Sequence, residues 1–454
     1  MKKFLNKVFK IEERNSTIAK EIIAGFIVFF AILYTIPVNT SLMAKSGMNE
    51  DAAFTAIVIV MALSTLLIGL LTNRSFVMAS GAGMNAFFVF SLTGALGYSW
   101  QEALSIVIVS SMIFFVISLT GLRTKIVDAI PADLKYAISA ALGLFIALIG
   151  LNMGGIIVSD SNTLVKLGSF ENPMVLLAFF GIFLVLMISV IPSRINKFAI
   201  IISMFVTAGL GLILGAFGVE NMPSFNFDTK VNFEASLVAY KNFHVLLNPK
   251  TYAIIISALF VQLFDATGSV VAIGNEMGII DENGKLIDGD KLMFADSASL
   301  IIANTLGGLS AITLAESAIA AKNGSKTGLA SVVVSILCLS SLVLFPIFSI
   351  FSTINVDGVS YAPVTTLALI YVGIMLFSNI KKIHFEDSVI VITSFIIIAM
   401  TAFTYSIVNG LGLGFIAYII MMLVAKRRKE VNLIMYFVAL FYIFSIVIDY
   451  LLIS

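Results

Sequence analysis

Two carboxylates stand deep in apolar sequence, where a chain cannot keep an idle charge. Asp265 lies in LFVQLFDATGSVVAIG, well inside its apolar run. Glu316 lies in the stretch Gly307–Gly328, GGLSAITLAESAIAAKNGSKTG. Placing a lone carboxylate at the centre of a bilayer costs about 2.5–3.5 kcal/mol or more, so each acid must be protonated, paired or hydrated. The chemistry such groups offer is proton exchange and the acceptance of hydrogen bonds from a ligand. Gln262 sits three residues before Asp265 and therefore shares its helical face. Asn85, the last residue of the SGAGMN sequence, supplies both a donor and an acceptor. Gly83 and Thr313 lie within the two small-residue stretches and complete the candidate substrate-binding set of Glu316, Asp265, Asn85, Gln262, Gly83 and Thr313. Asp296, near the start of its run, reads as a cap or structural group. Phe87, Phe88 and Phe90 could stack on a planar ring, although aromatics at helical spacing are more often packing residues.

Positioning these groups requires broken helices. The Leu314–Ala321 segment is too short to cross a hydrocarbon core about 30 Å thick, which needs roughly 20 helical residues. A β-favouring piece, Ser310–Thr313, precedes it after two glycines. Irregular backbone at membrane depth is tolerated where it is buried in protein or lines a wet cavity. A half-helix there presents free N–H groups and a positive dipole end to a ligand. Glu316 is expected at such an end. Asp265 is expected inside a continuous apolar helix without that help, which makes it the better proton carrier.

The chain has 454 residues, 59% hydrophobic and 12% charged, with a mean hydropathy of +1.07, so it reads as a polytopic α-helical membrane protein. A net charge of +1 argues against nucleic acid as a partner. Cys338 is single and reads as core filler, and His244 and His384 fall in or beside polar connections, so neither a disulfide, a metal site nor a cofactor is expected. Fourteen apolar runs fall at about 22–43, 52–72, 80–96, 102–121, 135–151, 174–191, 198–218, 250–272, 294–309, 314–322, 327–350, 363–379, 388–404 and 408–425. With the N-terminus inside, 22 of the 27 lysines and arginines lie on the inner side, Arg123 among them. The polar connection 219–249 then divides the runs seven and seven, and an odd number per half is the arithmetic of an inverted repeat. Runs three and ten carry matched interruptions, the best sequence pointer to a site at the midplane. Trp100 reads as an interfacial anchor, and residues 1–21 as a cytoplasmic interfacial segment. The apolar stretch 432–452 follows the basic cluster and exceeds the fourteen-run plan.

With those residues in place, the chain resembles the guanine/hypoxanthine and adenine permeases of the AzgA-like branch of the nucleobase:cation symporter-2 superfamily. The resemblance rests on GMNAFF (83–88), GYSWQEAL (97–104), SLTGLRTKIVDAIP (118–131), AISAALGLFIALIGL (137–151), LFDATGS (263–269), AESA (315–318), KTGL (326–329) and FTYSIVNGLGLGF (403–415). It implies a core domain from 22–121 and 250–350 and a gate domain from 122–218 and 351–426, joined by the extracellular connection 219–249. Residues 427–454 form a C-terminal extension. Short antiparallel strands in runs three and ten are expected to meet at the substrate, with Asn85, Asp265 and Glu316 carrying over as site residues. The implied activity is uptake of a purine base with a proton by elevator-type alternating access, in a bacterial plasma membrane. A homodimer is a candidate assembly. The chain departs from the family pattern at Ser80-Gly81, where Pro-Gly is usual, at Asn39-Thr40 for Asn-Pro, and at Gln262, where many members carry a second acid.

Two other functions compete. An anion transporter on the same seven-plus-seven architecture would want helix N-termini with little acid, and Asp265 and Glu316 oppose an anion. A membrane-embedded enzyme would need a nucleophile–base set or metal ligands, and the sequence supplies no convincing set.

Overall fold

Backbone hydrogen bonding decides where the helices of this chain begin and stop. The computed structural model describes residues 2–160, 162–228, 230–238, 241–276, 289–314, 316–356, 359–437, 439–440 and 442–443, and it is mostly helical. After α1 (Lys2–Phe9), Thr17 caps α2 (Ile18–Ile32) by accepting from the Lys20 N–H at 3.3 Å. Pro37 has no N–H to give to the Leu33 carbonyl, and the helix is interrupted at Leu33–Tyr34 before resuming as α3 (Thr35–Ala44). Asn49 caps α4 (Glu50–Thr72), accepting from Ala52 N–H at 3.2 Å. Strand β1 (Met78–Ser80) and the stub α5 (Ala82–Ala86) follow, the latter running on as a π-helix over Phe87–Ala95. A Ser99–Glu102 capping box opens α6 (Trp100–Leu119), and α7 (Leu122–Ala129) and α8 (Ala132–Met153) come next.

A hairpin of β2 (Ile157–Asp160) and β3 (Leu164–Leu167) leads to α9 (Pro173–Val190) and α10 (Ala199–Ala216). Lys166, 2.9 Å away, and the N–H groups of Asn162 and Thr163 hold the Asp160 carboxyl down at about 2. The long polar connection contains α11 (Glu234–Val238). The second half runs through α12 (Lys250–Glu276), α13 (Gly289–Thr305), β4 (Ala311–Thr313) and α14 (Ser317–Lys322). It continues through α15 (Leu329–Ser340), α16 (Phe345–Phe348), β5 (Ile354–Val356), β6 (Val359–Tyr361), α17 (Thr366–Phe377), α18 (Ser388–Phe403) and α19 (Ile407–Val424).

Among the described residues six helical stretches are long and apolar enough to cross a membrane. They become seven if Leu329–Ser340 and Phe345–Phe351, bent by 83°, count as one. Run 327–350 is therefore not one straight span: Pro346 cannot donate a backbone bond, and the chain turns before it. The hairpins β2–β3 and β5–β6 were not anticipated, because their short alternating segments are masked by long apolar neighbours. Trp100 is 7% exposed, a buried first-turn residue of α6. The described part of the terminal stretch packs the Tyr442 ring on Gly412 and donates its hydroxyl to Asn409 Oδ1 at 3.1 Å.

Two sets of helices pack mainly among themselves. In one, α4 lies against α13 and α15, α2 against α15, and α6 against α12 and α13. In the other, α8 lies against α17 and α18, α18 against α19, and α9 against α10 and α17. Lipid tails provide no hydrophobic drive between helices, so close approach through small residues matters. The α8–α17 crossing is a reciprocal case: a Cβ on Gly143 would fall 2.5 Å from the Gly373 carbonyl oxygen, and one on Gly373 2.6 Å from that of Gly143. Overpacking typically costs about 1–3 kcal/mol. Gly143→Leu and Gly373→Leu should each lower the Tm of the purified protein by several degrees. Gly209→Ala, where a Cβ meets nothing within 4 Å, should leave it unchanged or slightly raised.

Candidate functional site

The site is built on two broken segments that share one sheet. Strand β1 pairs antiparallel with β4 in the register Met78↔Thr313, Ala79↔Ile312 and Ser80↔Ala311. The pairing is extended at both ends by Gly81 N–H donating to the Ser310 carbonyl (2.7 Å) and Leu314 N–H to that of Val77 (2.9 Å). Each strand is followed by a stub helix, α5 after β1 and α14 after β4, with Gly81 and Glu316 as their N-cap residues.

Asp265 reaches this junction from α12. Its Oδ2 accepts from the Met84 N–H at 3.2 Å, so the carboxylate sits at the N-terminal end of α5. Asp265 is thus not remote from a helix N-terminus, contrary to the expectation drawn from its continuous apolar helix. The sequence places it mid-helix; only the fold brings a second helix end to it. Glycine makes the approach feasible: a Cβ on Gly81 would lie 2.6 Å from Asp265 Oδ2, and one on Gly83 3.1 Å from Asp265 Cγ. Glu316 Oε1 accepts from the Tyr34 hydroxyl at 2.9 Å. Tyr34 occupies the α2–α3 interruption, so Pro37 sets its position indirectly. Both acids are half-buried and so reach accessible space.

The other candidates lie behind this pair. Asn85 is fully buried, its Nδ2 donating to Asn39 Oδ1 (2.7 Å) and its Oδ1 accepting from Ser80 Oγ (3.0 Å). Ser80 Oγ also lies 2.8 Å from the Gly308 carbonyl oxygen and 3.1 Å from that of Leu309. A proline at this position would lack that cross-link. Gln262 is fully buried and turned to α6, its Nε2 3.5 Å from the Val107 carbonyl oxygen and its Oε1 without a hydrogen-bond partner among the described residues. Thr313 is buried with Oγ1 3.5 Å from Asp296 Oδ1, at the long limit of a hydrogen bond. Phe87 and Phe88 are core residues, whereas the partly exposed Phe90 packs its ring 5.9 Å from that of Tyr405.

Sequence reasoning missed Tyr34, Gly81 and the partner of Asp296. Of the two readings of Asp296, cap or structural group, the structure bears out the second: it is wholly buried and ion-paired with Arg123 of α7 at 2.8 Å. Arg123, counted above with the inner surface charges, is 1% exposed and lies 4.8 Å over the Phe114 ring. The signal was the pair itself, a lone acid in one apolar run and a lone arginine at the edge of another, but linear distance hid it.

A family model described as "Permease family" matches residues 19–408. The chain belongs to this permease family. A Methanocaldococcus jannaschii protein named only as a permease is 35% identical over 444 residues, covering 97% of each chain. The guanine/hypoxanthine permease PbuG of Bacillus subtilis is 33% identical over 438 residues, covering 94% of this chain and 96% of that one. The adenine permease AdeP of Escherichia coli is 30% identical over 446 residues, covering 98% and 96%. The permease shares its fold with the transmembrane domain of a cyanobacterial bicarbonate transporter, BicA, at a TM-score of 0.61 and 12% identity, covering 86% of this chain and 97% of that one. The SLC26A9 structure matches at 0.55 and 13%, covering 90% and 66%. At such identities the likeness concerns the fold alone.

Removing one partner of a buried ion pair typically costs about 3–5 kcal/mol, because a buried charge is left uncompensated. Arg123→Gln should therefore lower the Tm of this permease sharply. Adding Asp296→Asn to Arg123→Gln should restore most of the loss, a non-additivity that a double-mutant cycle of Tm values measures directly.

Proposed function

We propose that this permease takes up a purine nucleobase together with a proton. The observation that carries the reading is the pair of half-buried acids, Asp265 and Glu316, at the two stub helices joined by the β1–β4 sheet. A purine presents ring N–H donors and acceptors on a flat apolar body, and two acids at the starts of half-helices suit it. Relatives named as adenine and guanine/hypoxanthine permeases support the substrate class. In this reading the chain crosses a plasma membrane fourteen times in a seven-plus-seven inverted repeat, N-terminus in the cytoplasm. The α2–α6 and α12–α15 set forms the core domain, which moves past the α8–α10 and α17–α19 gate. An anion carrier on the same fold is the competing reading, and two acids at the site repel an anion.

Glu316 binds the substrate. Its carboxylate is pre-oriented by Tyr34 and accepts hydrogen bonds from purine N–H groups. Asp265 carries the proton. Because it touches Gly81, Gly83 and Met84, a change in its charge acts directly on the N-terminal end of α5, where an anion is favoured by the helix dipole. Asn85 and Thr313 hold the two broken segments in place, and Gln262 sets the packing of α12 on α6 beside Asp265.

Uptake of radiolabelled hypoxanthine, guanine, adenine, uracil and sulfate into cells lacking their own carriers tests the substrate class. A purine is expected to accumulate, and sulfate transport without purine transport would overturn the reading. Accumulation should collapse on adding a protonophore; survival of sodium-dependent uptake would refute proton coupling. A charge-assisted hydrogen bond contributes roughly 1.5–3 kcal/mol, so Glu316→Gln should weaken binding about ten- to a hundredfold. Tyr34→Phe, which removes only the orienting hydroxyl, should cost less. Asp265→Asn should spare much of the binding and counterflow while abolishing pH-driven accumulation.

A further inference from the structure

The N-terminal segment is tied to the stub helix α14 by a set of hydrogen bonds, some of them buried, that the transport reading does not use. Glu21, fully buried, accepts from Ser16 Oγ (2.6 Å), Ser325 Oγ (2.6 Å) and the Lys326 N–H (2.8 Å). Arg14 Nη1 donates to the carbonyl oxygens of Asn73 (2.6 Å) and Lys326 (3.1 Å). Asn73 in turn donates to the Phe9 carbonyl (2.8 Å) and accepts from the Gly328 N–H (3.0 Å). The 325–328 loop is itself bonded to the last turn of α14 through Ser325 N–H and the Ala320 carbonyl (3.1 Å). A continuous chain of bonds therefore joins α1 to the stub helix that Glu316 opens.

Helix α1 has two apolar faces with different fates. Phe9, together with Leu5 and Ile11, packs on Leu329 and Val332. Phe4 and Val8, four residues apart and so one above the other, are 66% and 44% exposed. Lys3 and Lys7, also four apart, flank that exposed strip and are themselves exposed, as is Lys2. Within Lys2–Phe9 there is no acid. Beyond it, Glu12 and Glu13 are exposed and Lys10 pairs with Glu13 at 3.4 Å. An exposed apolar strip beside lysines, a few residues before a membrane-spanning helix, matches a surface of acyl chains beneath anionic headgroups.

We propose that α1 docks on anionic phospholipid of the adjoining bilayer surface, and that the Glu21–Arg14–Asn73 latch passes this seating to α14. The second clause rests on the transport reading given above; the first does not. Docked, α1 fixes the 325–328 loop and with it the end of the stub helix behind Glu316. Undocked, α1 pulls on that loop only through its own packing.

The full-length protein carrying Val8→Cys with an environment-sensitive dye, in a Cys338→Ala background, is reconstituted in phosphatidylcholine vesicles with and without phosphatidylglycerol. Quenching of the dye by spin-labelled acyl chains is expected only with phosphatidylglycerol. Lys3→Gln with Lys7→Gln should reduce docking about tenfold or more. Equal quenching in both vesicles, or no effect of the lysines, overturns the docking. Counterflow of hypoxanthine is read on the same vesicles with the unlabelled protein. It should be several-fold faster with phosphatidylglycerol, and Asn73→Ala should remove that gain while leaving dye quenching intact. Lipid-dependent quenching without lipid-dependent counterflow overturns the latch. Absence of purine counterflow in every vesicle counts against the transport reading, and the quenching still decides the docking.

Discussion

Satisfying backbone polar groups at membrane depth is the constraint on which this structure depends. A chain that stops being helical inside a bilayer exposes N–H and C=O groups with no water to receive them. Here two such interruptions answer one another: β1 and β4 are only three residues each, yet each supplies backbone partners to the other. Ser80 Oγ, Asn39 and Asn85 extend that satisfaction sideways from the sheet into α3 and α5. The result is a small platform from which two half-helices start.

The acids follow from the platform. Asp265 can stand against α5 because Gly81 and Gly83 leave the space that any side chain would take. Glu316 can stay at the opening of α14 because Tyr34 supplies a hydroxyl from the interruption in the first long helix. Asp296 and Arg123 show the opposite solution: both are buried, paired, and turned away from accessible space. Their pair joins α13, which precedes β4, to α7, which leads from one helix set to the other. A charge buried with its counter-charge supports specificity of arrangement more than net stability.

Helix packing around the platform uses close contact rather than bulk. Gly143 and Gly373 bring α8 and α17 to backbone distance, and Gly69 lies against Ser331 where α4 meets α15. Such contacts hold the members of each helix set together, while side-chain aromatics such as Phe90, Phe145 and Tyr405 pack where the π-helical segment behind β1 meets α8 and the α18–α19 turn. Dispersion between rings tolerates small displacements better than interlocked backbone does.

Composition and hydropathy by themselves determined that this is a polytopic helical membrane protein, since no soluble core uses so few charges over so long a chain. The small-residue stretches around Gly83 and Thr313 pointed to interrupted segments, because a span that is too short must either break or be buried. Asp265 and Glu316 were legible for the same reason: a carboxylate in an apolar run is expensive and stands out. Tertiary structure alone decided what each acid touches. Met84 lies 181 residues before Asp265 and Tyr34 lies 282 before Glu316, and no local pattern encodes such separations. It also decided that Arg123 is a buried partner rather than a surface charge, that Gln262 turns to α6, and that Pro346 bends an apolar run that hydropathy reads as straight. Periodicity reports how polar a face is; only packing reports which other face it meets.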